Sequence, residues 1–400
     1  MASYVGRVAY SAAWAVLKIP GMTSVARAVL SPKHPNFERI ANVDEGGHRN
    51  AEEVWQGVEA EMGSGVEAGC LEVLPAFGWG WDVEKEGWFA RSEETAVGEV
   101  DGEWEGREIR ILAWNVMMGM YDRVISGVTQ TERRYVAIVK FLADSDADLI
   151  ALNEIELPML ALLGANEVLR QRYVFSEIPV DLGGVEGRGR IQEGSHGVVL
   201  LVRRSLPLFS FHAIHSTIIR KGKPKTARPM IVARIRTTSG RLVAICGAHL
   251  EAREGRFVQR RQQARDFIRA VDTRDASADG PGVLSAHQAM IMGDLNMHTE
   301  AENSMFPVPF NDAWKSMHHH DEPAGVTWDS IENTLIHAMV LNCDRRQMRL
   351  DRVFYIGQQV LSLVDVDIVA KEPLLSTGWS DPGICMSDHY GLMSRWTLHV

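Results

Sequence analysis

Four apolar runs in this chain each end in a polar residue: ILAWN (111–115), ADLIALNE (147–154), VAICGAH (243–249) and AMIMGDLN (289–296). Runs that stay apolar at successive positions, bounded by turn residues, read as strands buried in a core. A buried strand ordinarily ends in a bland turn. Here the ends are Asn115, the pair Asn153 and Glu154, His249, and the pair Asp294 and Asn296. In an extended strand Asp294 and Asn296, two residues apart, point to the same side.

The rest of the pattern mixes strands and helices without strict alternation. Strands are expected at 108–116, 147–155, 196–204, 209–219, 228–236 and 242–250, and again in RLDRVFYIG and HYGLMSRWTLHV. Helical spacing marks 131–145, with Thr131 as its cap, then LPMLALLGANEVLRQRY as one helix, and 256–271. No internal repeat is visible. An α/β (α+β) chain of this kind is most simply built as two packed sheets with helices outside.

Charge divides the 400 residues near 107. Residues 1–106 hold 8 Lys/Arg against 18 Asp/Glu, so the whole net charge of −10 sits there and 107–400 is neutral. The acidic total therefore excludes neither a phosphate nor a nucleic-acid substrate for the larger part. Residues 1–37 contain no acid and read as a basic amphipathic segment, either a mitochondrial transit peptide or a short docking helix. Residues 38–106 are acidic, yet carry Trp55, Trp79, Trp81, Trp88 and Trp104. Five large apolar side chains argue for a strap on the main domain, with binding of a protein partner as the alternative. The catalytic domain is expected at 107–400. Cys70, Cys246, Cys343 and Cys385 are scattered, which fits a reducing compartment and excludes a zinc knuckle. No apolar stretch is long enough for a transmembrane helix. The compartment stays open between nucleus, cytoplasm and mitochondrion.

Taken singly, each strand-end residue has an ordinary reading: a turn Asn, a core His, a capping Asp. Two later motifs add to them. RLDRVFY carries Asp351 near its start, and SDH puts Asp388 and His389 just before the last strand. If the strands adjoin, these groups converge on one edge, where sites commonly form. Glu154, Asn115 and Asp388 offer hard oxygens that suit Mg²⁺, with Mn²⁺ as a substitute. Asp294 suits a general base acting on water, Asn296 its orientation, and His249 and His389 the charge that develops on a phosphoryl oxygen.

The ordered set AWN, LNEIE, GAHLE, GDLN, RLDRVFY and SDHYGL, over about 109–398, resembles the endonuclease/exonuclease/phosphatase superfamily. ANEVLRQRYVFSEI and DAWKS…GVTWDS look most like its tyrosyl-DNA phosphodiesterase 2 branch. The resemblance implies a four-layer α/β sandwich, two mixed sheets face to face with helices outside. It implies Glu154 holding Mg²⁺ directly, supported by Asn115 and Asp388. Asp294 activates the water, Asn296 positions it, His249 and His389 steady the transition state, and Asp351 orients His389. The chain departs from that branch at Leu295, Met297 and His298, and at Asn153, where the branch has Gln.

Two basic stretches bear on substrate. IIRKGKPKTARPM carries Arg220, Lys221, Lys223, Lys225 and Arg228, and AREGRFVQRRQQAR carries Arg253, Arg256, Arg260, Arg261 and Arg265. The second begins beside His249, which assigns Arg253 and Arg256 to phosphate contact. The run His318–His320 reads as surface. The expected activity is hydrolysis of a phosphodiester at DNA ends, of the 5′-tyrosyl kind. The alternatives are a lipid or inositol-phosphate phosphoesterase and a non-catalytic interaction protein.

Overall fold

The continuous apolar runs give the central strands two apolar faces, and the structure uses both. A computed structural model describes residues 71–399 apart from 77, 92–106, 120–127, 179–190, 192, 221–222, 238, 272–283, 285, 319–324, 340–344, 359 and 376–382. The expectations for residues 1–70 lie outside the described residues.

One eight-stranded sheet contains β1 (Leu71–Ala76), β8 (Leu208–Arg220), β10 (Met230–Arg236), β11 (Leu242–Gly247), β12 (Gln288–Asp294), β16 (Asp351–Ile356) and β13 (Asn311–Asp312) in that order, with β9 (Lys223–Thr226) paired to β8. The other runs β17 (Leu361–Val369), β18 (Gly391–Leu398), β4 (Glu108–Asn115), β5 (Leu149–Ile155), β7 (Gly197–Arg203), β6 (Tyr173–Phe175), β2 (Gly78–Asp82) and β3 (Gly87–Arg91). Both are mixed: β4–β5 and β11–β12 are parallel and their other neighbours antiparallel, while β14 (Trp328–Asp329) and β15 (Gln347–Met348) pair apart from them.

Alternation sorts the side chains into layers. Ile109, Ile111 and Ala113 of β4 meet Val243 and Ile245 of β11 and Met290 and Met292 of β12 between the sheets. The intervening Leu112 and Trp114 face outward under α1 (Thr131–Asp144) and α2 (Leu157–Ala165). Ala244, Cys246, Ala289 and Ile291 face outward under α4 (Phe257–Ala270). Trp114 and Trp396 are fully buried. At roughly 25 cal/mol per Å², burial of one such side chain contributes on the order of 4–6 kcal/mol before entropy is set against it. The four-layer sandwich is therefore the observed architecture.

Three details differ from the sequence expectation. LPMLALLGANEVLRQRY is two helices, α2 and α3 (Glu167–Arg172), because Asn166 caps the second by accepting the Leu169 N–H at 3.0 Å. Thr131 is the first helical residue, and Gln130, in the left-handed region, stands at the cap position. Residues 71–91 give one edge strand to one sheet and an edge hairpin to the other, burying Trp79 and Trp88. Among the described residues no helix is long and apolar enough to cross a membrane.

Candidate functional site

The parallel pairing sets the site. β4 and β5 run parallel, and their pairing ends at Asn115 and Asn153. β11 and β12 run together in the facing sheet, and β16 enters antiparallel so that Asp351 stands opposite Asp294. The final strand, β18, begins just after Asp388 and His389. Strand ends from both sheets thus reach one edge of the sandwich.

Local backbone then aims the groups inward. The β5–β7 register shifts between Leu152 and Ile155, and Glu154 inside that bulge has φ 61°. A non-glycine residue there is strained, and the bulge turns its carboxylate into the site. Gly293 has φ 123°, and a Cβ on it would lie 2.3 Å from the Ala248 carbonyl, so only glycine lets β12 pass this close to β11. Asn296 lies past the end of β12 with φ 50°, and its N–H donates to Asp294 Oδ1 at 2.9 Å. The shared side of Asp294 and Asn296 therefore comes from a turn closed by the Asp carboxylate, and not from strand pleating.

Asp294 is the hub. Its Oδ2 accepts from Asn115 Nδ2 at 3.0 Å and lies 3.4 Å from His249 Nε2 and 3.9 Å from His389 Nε2. Its own N–H donates to Asn153 Oδ1 at 2.7 Å. Glu154 is half-buried at the rim, with Oε1 accepting from Asn115 Nδ2 at 3.2 Å and Oε2 from Met118 N–H at 3.1 Å. Asn115 Oδ1 accepts the Met117 N–H at 3.0 Å, which leaves its amide nitrogen facing the two carboxylates. Asn115 thus braces Glu154 and Asp294 together. His389 Nδ1 lies 2.7 Å from Asp351 Oδ2. Asp388 is half-buried and joins the group through Ser387, whose hydroxyl donates to the Asn115 carbonyl at 2.6 Å and accepts the His389 N–H at 3.2 Å.

Charge follows from burial. Desolvation pushes the Asp294 carboxyl up to about 6, against the pull of His389 and the bonds from Asn115 and Asn296. Burial works against a charged His389, yet Asp351, Asp294 and Asp388 outweigh it and hold the imidazole well above 6.5. Burial, Arg228, His196 and His389 all push His249 well below 6.5. At neutral pH the site holds one imidazolium and one neutral imidazole. His249 Nδ1 is buried without a hydrogen-bond partner, so its ring proton belongs on Nε2, toward the carboxylates.

Asp294, Asp351 and His389 bring candidate ligand atoms within 4.8 Å of one another. Two of the three already face each other across the 2.7 Å hydrogen bond, so this trio is a poor cage. Glu154 and Asp388 are the half-buried carboxylates with access to water, and their oxygens fit a hard divalent cation better than zinc.

Seven of the ten site residues expected from sequence meet here: Asn115, Glu154, His249, Asp294, Asn296, Asp351 and His389. Asp388 touches them through Ser387. Arg253 is exposed and Arg256 half-buried, in a turn that follows His249, and neither bonds to the group. His196 was not expected. It stands 5.8 Å from the His249 ring and within 3.1 Å of Arg228, whose guanidinium also donates to the Leu250 carbonyl. A lone His in a Gly-bearing turn carries no local signal of this. Of the His318–His320 run, His318 stacks on Trp314 and bonds to the Val366 carbonyl at 2.9 Å, so it is not a free surface residue.

The endonuclease/exonuclease/phosphatase family profile matches residues 112–389, which spans every one of these strand ends. The chain belongs to the endonuclease/exonuclease/phosphatase family. It is a phosphoric ester hydrolase of that family. Its fold is similar to zebrafish (D. rerio) TDP2 complexed with a single-strand DNA product, at 19% identity and TM-score 0.51 over 72% of this chain and 98% of that one. Truncated Caenorhabditis elegans TDP2 is similar at 20% identity and TM-score 0.50, over 74% and 99%. No curated protein sequence matches the chain.

Proposed function

We propose that this hydrolase cleaves a phosphodiester at DNA ends, of the 5′-tyrosyl kind, by attack of water assisted by one Mg²⁺ held at Glu154. The observation that carries the reading is the Asp294 carboxylate, buried between Asn115, neutral His249 and charged His389. A general base acts best with a pKa near the working pH, and burial has raised Asp294 to about 6.

Each residue then has a task. Glu154 holds the cation, braced by Asn115 and the Met118 N–H, with Asp388 in support. When bound, the cation supplies Lewis-acid polarisation of a phosphoryl oxygen. Asp294 takes the proton of the attacking water as its oxygen bonds to phosphorus and the bond to the leaving oxygen breaks. Asn296 donates one amide hydrogen to the Leu250 carbonyl at 3.1 Å and keeps its other hydrogen and its oxygen for that water. His389, held cationic by Asp351, and the Nε2–H of His249 meet the charge gathering on the phosphoryl oxygens. Arg253 and Arg256 contact flanking phosphates. DNA as substrate is supported by the motif resemblance to the tyrosyl-DNA phosphodiesterase 2 branch and by the DNA product in the zebrafish TDP2 structure.

The test is a substrate panel with Mg²⁺ or EDTA: 5′-tyrosyl single-stranded DNA, abasic duplex, sphingomyelin and an inositol polyphosphate. Release of tyrosine only with Mg²⁺ is expected. Turnover that persists in EDTA would overturn the metal-assisted mechanism, and turnover of the lipid or inositol substrate alone would replace DNA as substrate.

A further inference from the structure

Arg260 is one of five arginines in a stretch that reads as a basic surface, yet its side chain is fully buried. It leaves α4 in the first turn and points back under the loop that follows His249. Its Nε and one terminal nitrogen both lie 2.8 Å from Glu302 Oε2. The other terminal nitrogen donates to the carbonyls of Glu251 at 3.1 Å and Arg253 at 2.7 Å, and the first also reaches the Glu254 carbonyl at 3.2 Å. A flat five-hydrogen fork is filled on every side, as only a guanidinium can be.

Its partner continues the connection. Glu302 lies in the 3₁₀ turn Glu300–Met305, and its second oxygen accepts the His298 N–H at 3.1 Å. One buried ion pair therefore spans two loops. On one side is 250–254, which leads out of His249. On the other is 295–302, which leads out of Asp294 and Asn296. Closer to the hub the same loops touch again at Leu250, whose N–H donates to the Asp294 carbonyl at 3.1 Å and whose carbonyl accepts from Asn296 Nδ2 at 3.1 Å. Arg253 is held at φ 74°, and Gln263, one turn along α4, accepts the Glu251 N–H at 2.9 Å. Such a backbone conformation persists only where its surroundings dictate it.

We infer that Arg260 and Glu302 are positioning residues, which set the distance between His249 and the Asp294–Asn296 turn and present the Arg253–Arg256 loop, without touching substrate. The inference rests on the phosphodiesterase reading above for its kinetic test alone. A displacement of about 1 Å at a reacting group can reduce rate by about a hundredfold. Loss of this clamp is expected to act on kcat in the same way, more than on KM for a small substrate that reaches neither loop.

The test uses the full chain, as Arg260→Lys, Arg260→Gln, Glu302→Gln and the double Arg260→Gln/Glu302→Gln, with exposed Arg265→Gln as the control on the same helix. Turnover of the p-nitrophenyl ester of thymidine 5′-monophosphate is measured well below each melting midpoint, where every variant is folded. Each single change is expected to lower kcat by about tenfold or more with KM within about twofold. The double variant is expected to be no worse than the worse single one, because the two residues act as one unit. Lysine is expected not to rescue, since an ammonium cannot fill the fork. An unchanged kcat per folded molecule would overturn the inference, as would simple multiplication of the two single effects. Amide hydrogen exchange is the second measurement. Faster exchange at 251–256 and 298–302 in Arg260→Gln, with α1 and β4 unchanged, is expected even if the wild-type chain does not turn over the ester. Inactivity of the wild type would sink the functional reading, and unchanged exchange in both loops would sink the clamp.

Discussion

His389 and Asp351 meet at 2.7 Å across the gap between the two sheets, the first just before β18 and the second at the start of β16. The contact both joins the layers and keeps the imidazole charged.

Asp351→Asn removes the charge that sustains the imidazolium. Burial pulls His389 down and only Asp294 and Asp388 then remain to oppose it, so its pKa is expected to fall in the variant, which NMR titration of its Cε1–H reads directly. Turnover should fall by about 10²-fold. Breaking a buried pair by removing one partner costs about 3–5 kcal/mol, so a clear drop in melting temperature accompanies it.

Asp294→Asn is expected to separate activity from stability. Turnover should fall by at least about 10²-fold, the low end for losing a general base. The metal-free protein should melt no lower at pH 7. A carboxyl whose pKa rises from 3.8 to about 6 on folding destabilises the native state once both forms are ionised, by on the order of 3 kcal/mol. Removing that burden offsets one hydrogen bond lost to the amide, at about 1–2 kcal/mol. A large fall in melting temperature would show that the carboxylate holds the edge together.

The same group is expected to set the acid side of the pH profile. Its folded pKa lies above its unfolded value, so the basic form that accepts a proton exists only above about pH 6. kcat/KM is expected to hold near neutrality and then fall about tenfold per unit as pH drops through that value. A profile flat down to pH 4 would remove Asp294 from the base role.

Glu154→Gln isolates the cation. Mg²⁺ should raise the melting temperature of the parent chain in a concentration-dependent way, because a ligand that binds only the folded state stabilises it. The Gln variant should show no such shift and almost no turnover, while melting near the parent in EDTA. An equal Mg²⁺ shift in both proteins would move the site elsewhere.

Residues 71–91 are predicted to be part of the folding unit. A chain starting at 107 exposes the edges of β8 and β6 and loses buried Trp79 and Trp88. It should aggregate or melt well below one starting at 71, by thermal denaturation of the two side by side.

What the sequence revealed followed from how local each signal was. An apolar run closed by a carboxylate or imidazole is visible in a few residues, so β4, β5, β11 and β12 and their polar ends were legible. β1 to β3 were not, since β1 and the β2–β3 hairpin join their sheets only at β8 and β6, 96 residues away or more. β17 alternates apolar residues with Asp365 and Asp367 at a sheet edge, and its register is set by β18. Arg260 looked like its neighbours because burial is not written in a residue's identity. Leu295 and Met297, where the chain leaves the tyrosyl-DNA phosphodiesterase 2 pattern, are buried in the core beneath α4. Those differences therefore concern packing and do not by themselves alter what the site can hold.

The division of the site between the layers has its own consequence. Asn115, Glu154, Asp388 and His389 arrive on one sheet, and His249, Asp294, Asn296 and Asp351 on the other. In the proposed mechanism neither half alone would both grip a cation and deprotonate water. On the proposed mechanism cleavage would begin only once the hydrophobic faces have closed on each other, so a half-assembled chain would be harmless to any phosphodiester it meets, and catalytic competence itself would report that the sandwich is shut.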